Sequence, residues 1–241
     1  MVTAAIPEGV AAIVAAGQAE LMTQPMPERD GHFDGPATIA QLPALIDGKT
    51  ALIVGPGLGV SDDTKALVEW MVTRGVQPKR PLLVDADGLN ILAMLDPAIL
   101  KSARGPIVLT PHPGEMARLL KSSTRSVNAD RIGAAGQLAT STGAGVLLKG
   151  ARTIIAAADG TVHVNSSGNP GMATPGMGDA LSGIIGALLG QGMKGDEALR
   201  LGAFIHGYAA DNVVVRFGPV GYLAGDVIDE IPRTLGALAS R

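Results

Sequence analysis

Four short and almost wholly apolar runs recur along the chain, at residues 51–54 (ALIV), 81–84 (PLLV), 106–109 (PIVL) and 146–149 (VLLK). A strand with one face in water alternates polar and apolar side chains. These runs do not, so each predicts a strand covered on both faces, as in a parallel sheet between helices. The segments between them read as helices, over 64–73 behind the capping residues Ser61, Asp62 and Asp63, and over 89–95, 114–120 and 129–140. Past residue 149 the pattern changes. Residues 153–158 and 161–164 flank Asp159-Gly160, which predicts a hairpin closed by a type I′ turn. A glycine-, proline- and serine-rich loop over 165–178 leads into helices over 179–189, 197–216 and 226–238. With no internal repeat and no dividing linker, the expectation is one α/β domain over residues 1–241, its mostly parallel sheet covered by helices on both faces.

Composition removes whole classes of function. A chain that is 46% hydrophobic and 17% charged is not disordered. It has no cysteine, which excludes disulfide scaffolds, thiolate metal sites and cysteine nucleophiles. Its 19 basic and 22 acidic residues give a net charge of -3 with no basic run, so there is no footprint for nucleic acid. A small anion needs only local donors. Residues 4–19 are apolar but interrupted by Pro7, Glu8, Gly9 and Gly17, which predicts neither a membrane span nor a signal peptide. Together with the missing cysteines, this points to the cytoplasm.

Chemistry concentrates in five segments. In residues 168–190 (GNPGMATPGMGDALSGIIGALLG) a glycine-rich loop enters a helix. The free N–H groups of Gly176, Met177 and Gly178 can converge on an anion at the positive end of the helix dipole. Asp179 would repel a bound phosphate, yet it is well placed to take a proton from a hydroxyl attacking one. It is equally an ordinary acidic helix start. GPGLG at 55–59 follows a strand and lacks the third glycine of the dinucleotide fingerprint, so it is either a tight turn or a backbone that a ligand can approach. In VLTPHPGEMARLL at 108–120, His112 could donate to a phosphate or sugar. Glu115 could hold a magnesium-bound water, or serve as helix-capping chemistry. VDADGLN at 84–90 puts Asp85 and Asp87 on one face while the strand stays extended, where they could serve magnesium or ligand hydroxyls or cap the next helix, the slightly favoured use. Lys149, at a strand end before Gly150, is either a solvated terminus or a phosphate ligand.

In this order GPGLG, VDADGLN, TPHPGEMARL, LLKGART and GNPGMATPGMGDALSG resemble the ADP-dependent NAD(P)H-hydrate dehydratase family, which has the ribokinase-like fold. The resemblance implies removal of water from the S epimer of hydrated NADH or NADPH, coupled to conversion of ADP (or ATP in its place) with Mg²⁺ present. The implied course phosphorylates the hydrate hydroxyl and then eliminates phosphate. Asp179 would be the base and Gly176, Met177 and Gly178 the anion hole. Lys149, Gly150, Ala151, Arg152, Thr153 and Gly178 would line the nucleotide site. Gly57, Gly59, His112 and Asp179 would face the substrate, with Glu115 touching the metal through water. The family also implies a homo-oligomer, up to a tetramer. Two departures stand out. Relatives carry a further strand and glycine-rich segment before the stretch resembling MVTAAIPEGV, which predicts poor stability, an open sheet edge or loss of activity here, unless a misplaced start or a truncation accounts for the difference. Pro175 replaces a common glycine, which predicts tuning of the anion hole, because residues 176–178 keep their donors. The competing expectations are a vitamin-precursor kinase of the same fold and a non-catalytic nucleotide-binding protein.

Overall fold

A computed structural model describes residues 1–239. The chain opens with β1 (Thr3–Pro7), α1 (Glu8–Gly17) and β2 (Met22–Met26), whose strands pair in parallel with Thr3 opposite Met22. A two-residue hairpin follows, β3 (Glu28–Arg29) and β4 (His32–Phe33), and then α2 (Gly35–Ile46), capped by Asp34 on the Ala37 N–H. The central sheet contains β5 (Leu52–Val54), β6 (Leu82–Val84), β7 (Ile107–Leu109), β8 (Gly145–Leu148), β9 (Ile154–Ala156) and β10 (Val162–Val164), in that spatial order. The first four run parallel, β9 turns back antiparallel to β8, and β10 is antiparallel to β9.

The helices between them are α3 (Asp62–Trp70), α4 (Asp87–Leu95), α5 (Pro113–Leu119), α6 (Thr124–Ala129) and α7 (Arg131–Thr142). After β10 come α8 (Met177–Gly190), α9 (Gly195–Phe217) and α10 (Ala224–Ala239). Ser61 caps α3 as expected, in a reciprocal box with Thr64. No helix among the described residues is long and apolar enough to cross a membrane.

Alternation along the strands divides the core between two faces. Leu52, Val54, Leu82, Val84, Leu109 and Val146 join the cluster under α3, α4, α5 and α7. Leu83, Val108, Leu147 and Ile155 point the other way, onto Leu181, Ile185 and Leu189 of α8 and Ala198, Leu199 and Ala203 of α9. Both faces are therefore buried, which is why the runs read as continuous apolar stretches. β5 stands at the end of the sheet, and its Ile53 is 43% exposed.

The hairpin turn departs from expectation. Gly160 has φ 89, but Asp159 is not among the residues with positive φ, as a type I′ turn would require. Instead the Gly160 N–H bonds the Ala157 carbonyl at 3.0 Å and the Ala157 N–H bonds Thr161 O at 2.9 Å, which is a three-residue loop ending in a bulged glycine. The paired positive φ values occur at Asp30 (51) and Gly31 (79), between β3 and β4.

His206 on α9 is 6% exposed, and its Nε2 has no hydrogen-bond partner. Burial lowers its pKa from 6.5 to about 4. Between those values the unfolded chain carries a proton on this imidazole that the folded chain does not. Stability is therefore complete above pH 6.5 and falls as the pH drops towards 4, by about 1.4 kcal/mol per unit for one group. Urea titrations across that window should show this slope in the wild type and lose it in His206→Leu. Parallel profiles would mean that the imidazole is not held neutral.

Candidate active site

The four parallel strands deliver the motif segments to the same side of the sheet, at their carboxyl ends, where open α/β sheets bind ligands. After β5, Gly55 has φ 128, and a Cβ there would lie 1.8 Å from the Asp85 carbonyl oxygen and 2.8 Å from the Gly88 nitrogen. It is a packing glycine that lets two strand-to-helix turns touch. A Cβ on Gly57 or Gly59 would enter open space, so the backbone at those residues stays approachable. The Gly59 N–H is held by Asp87 Oδ2 at 2.9 Å.

Asp85 and Asp87 do not share a face, and neither caps α4. Ala86 between them adopts φ 48 and ψ -121, a conformation that costs energy for any residue with a Cβ, and it starts the helix without a side-chain cap. The turn sends Asp87 to the glycine loop and Asp85 inward, where it is 1% exposed. There its Oδ1 accepts from Lys149 Nζ at 2.7 Å and its Oδ2 from the Ser182 hydroxyl at 2.7 Å.

His112 occupies the N-cap of α5. Its Nδ1 accepts from the N–H groups of Gly114 (2.9 Å) and Glu115 (3.3 Å), while Glu115 Oε2 accepts the His112 N–H at 2.7 Å. This is a capping box with histidine in the place of serine. The imidazole keeps half its surface exposed, with Nε2 3.4 Å from Glu115 Oε1. The Glu115 side chain is buried, and burial pushes its carboxyl pKa up against the opposing pull of Lys149 and the His112 N–H.

Lys149 is not a solvated terminus. Its side chain is 20% exposed, and its ammonium lies 2.7 Å from Asp85 and 3.8 Å from Glu115 Oε2. It stands 3.6 Å from the position a Cβ on Gly178 would take, so the end of β8 and the start of α8 meet at this charge.

The turn from Gly150 to Thr153, with φ 137 at Gly150 and 54 at Arg152, is shaped by a residue that no motif marked. Arg131, at the start of α7, donates to the carbonyls of Leu148 (3.2 Å), Lys149 (3.3 Å), Ala151 and Arg152. Only the topology brings it there, so no local pattern could have revealed it. The nucleotide site that the resemblance implies runs along this turn, so Arg131→Ala tests it: release of the turn through loss of charged hydrogen bonds is expected to weaken any ADP affinity by about tenfold. Calorimetric titration of the variant checks this; an unchanged affinity would remove the turn from nucleotide binding.

The loop before α8 is pinned by the Gly168 N–H and Asn169 Nδ2, both donating to Asp211 at 2.9 Å, and by the Tyr222 hydroxyl donating to Asn169 at 2.6 Å. Pro175 followed by Gly176 at φ 85 and ψ -16 is the residue pair of a type II turn. Proline therefore suits the entry to α8, and the helix begins at Met177 with the N–H groups of its first turn lacking intrahelical partners. Asp179 is exposed in that turn and makes no hydrogen bond or ion pair among the described residues. It also rims a cleft of about 610 Å³ between α8 and α10, lined by Ile184, Leu188, Ile228, Ile231 and Leu235. Lys149, Asp85 and Glu115 do not line that apolar cleft, so the polar chemistry belongs to the helix start.

The family model for NAD(P)H-hydrate dehydratase matches residues 1–233. A bifunctional NAD(P)H-hydrate repair enzyme from Moorella thermoacetica is 44% identical over 98% of this chain, which spans 44% of that protein's length. An ADP-dependent (S)-NAD(P)H-hydrate dehydratase from Neisseria meningitidis is 43% identical over 73% of the chain, covering 60% of that protein. A solved ADP/ATP-dependent NAD(P)H-hydrate dehydratase from Bacillus subtilis, co-crystallised with ATP and Mg²⁺, superposes with a TM-score of 0.75 at 25% identity, over 96% of this chain and 76% of that one. The fold is ribokinase-like.

Proposed function

The chain belongs to the NAD(P)H-hydrate dehydratase family, and from that membership we propose that it restores NADH or NADPH from the S epimer of its hydrate while ADP becomes AMP and phosphate. One observation carries the reading. An unpaired, exposed carboxylate, Asp179, sits in the first turn of α8 behind a glycine turn, within the same helix start that meets the Lys149 ammonium at Gly178.

In this account Asp179 takes the proton of the hydrate hydroxyl as its oxygen attacks the terminal phosphorus of ADP. The bond from that phosphorus to the oxygen shared with the inner phosphate breaks, and AMP leaves. The N–H groups of Gly176, Met177 and Gly178 stabilise the charge that develops on the phosphoryl oxygens. The ring nitrogen then expels phosphate from the new ester, and loss of a proton from the neighbouring carbon restores the double bond. Lys149 and the Gly150–Thr153 turn hold the nucleotide, while Gly57, Gly59 and His112 face the hydrate. The open space over both glycines and the half-exposed imidazole support that side of the assignment.

Magnesium fits as a cation carried by the nucleotide phosphates. Among the described residues no three acidic or histidine side chains form a metal cluster, and both Glu115 and Asp85 are already paired with Lys149. Glu115 would receive a metal-bound water, and the bound cation would supply neutralisation of phosphate charge. The cytoplasm, where ADP and reduced dinucleotides meet, is the setting we assign.

Product analysis tests the reading against a kinase of the same fold. Dihydronicotinamide, AMP and phosphate should appear in equal amounts. A stable phosphorylated product without free phosphate would establish the kinase instead.

A further inference from the structure

We propose that Asp85 is a positioning residue, which ties Lys149 to the second turn of α8 and so makes the nucleotide site prefer a diphosphate to a monophosphate. This rests on the nucleotide-binding reading above and adds to it a residue and a source of selectivity. The Asp85 carboxylate is 1% exposed and has one partner on each side, Lys149 Nζ at 2.7 Å on Oδ1 and the Ser182 hydroxyl at 2.7 Å on Oδ2. Ser182 lies on α8, one turn beyond Gly178 and Asp179. The carboxylate thus joins the ends of two strands to the helix that starts the anion hole.

Burying a carboxylate is costly unless it is paired and hydrogen-bonded, and both of its oxygens are engaged here. A second cost points the same way. Ala86 holds φ 48 and ψ -121, and that strained turn is what aims Asp85 inward and Asp87 outward. The result is an ammonium fixed 3.6 Å from the position of a Cβ on Gly178, beside the N–H groups that receive the terminal phosphate. ADP carries that phosphate and AMP does not. Without Asp85, the remaining partner for Lys149 is Glu115 at 3.8 Å, which competes for the ammonium.

Calorimetric titration with ADP and with AMP, in magnesium, tests this on the wild type, Ser182→Ala, Ser182→Thr and Asp85→Asn. The wild type should bind ADP more tightly than AMP. Ser182→Ala and Asp85→Asn should each lose about tenfold of the ADP affinity, with AMP affinity unchanged. Ser182→Thr, which keeps the hydroxyl, should restore the preference. Parallel weakening of both nucleotides would assign Asp85 a purely structural role and overturn the proposal. So would a wild-type ADP-to-AMP ratio in Ser182→Ala, tighter ADP binding in Asp85→Asn, or a wild type with no preference for ADP. If Asp85→Asn does not fold, the alanine and threonine variants at Ser182 decide alone. A wild type that prefers ADP through Ser182 but never regenerates dihydronicotinamide would overturn the dehydratase reading and leave this role standing.

Discussion

Asp179→Ala should fold as the wild type does, bind ADP, and turn over hydrated NADH about 10²–10⁴-fold more slowly, the usual cost of losing one positioned general base. The fold should survive because the side chain is exposed and anchors nothing among the described residues. Its neighbours Met177 and Ala180 are buried, and Ser182 is held by Asp85, so the first turn of α8 keeps its frame without the carboxylate. ADP affinity should hold or improve, since the removed charge repels phosphate. Single-turnover kinetics with ADP affinity measured in parallel separates the two effects. Near-wild-type turnover would take Asp179 out of the base role, and lost ADP binding would recast it as a nucleotide ligand.

The second large effect falls on stability. Gly55→Ala should cost about 3 kcal/mol or more, seen as a drop in Tm of roughly 6–12 °C for a chain of this size. Two penalties coincide. The residue has φ 128, where a Cβ is strained, and that Cβ would stand 1.8 Å from the Asp85 carbonyl oxygen, a backbone atom that cannot move aside. Relief would require β5 to part from the turn after β6, and the carboxylate of Asp85 would move with it. Activity should therefore fall along with Tm. Gly57→Ala is the control, since its Cβ meets open space and only the positive φ of 66 opposes it. Equal Tm losses in the two variants would contradict the packing role.

What could be read from the sequence was whatever depends on local repetition. The runs around Leu82, Ile107 and Val146 announced a doubly covered parallel sheet, because both faces of those strands really are buried, whereas the run around Leu52 forms the end strand and leaves Ile53 exposed. The order of the five motifs likewise announced the family. Contacts between distant segments were not legible. Asp85 and Asp87 share a face only while the chain stays extended, and the turn at Ala86 parts them. Lys149 read either as a solvated strand end or as a phosphate ligand, and nothing local showed that it meets carboxylates from the turn after β6 and from α5.

Aspartate–glycine pairs show the same limit. Asp30-Gly31 closes a two-residue hairpin with both φ positive, whereas at Asp159-Gly160 the strands are spaced for a third residue and only the glycine turns left-handed. Pro175 is the converse case: against an expected glycine it seemed a departure, but with Gly176 it forms a turn that proline favours. Arg131, Asp211 and Tyr222 carry no motif at all. Their roles come from where the topology returns the chain.

The most direct test of the central claim mixes the protein, magnesium and hydrated NADH, with ADP in one tube, ATP in a second and no nucleotide in a third, and follows the return of dihydronicotinamide absorbance. The account predicts recovery with nucleotide only, fastest with ADP, and AMP formed in step with it. No recovery from folded protein that binds ADP, or recovery independent of nucleotide, would contradict it.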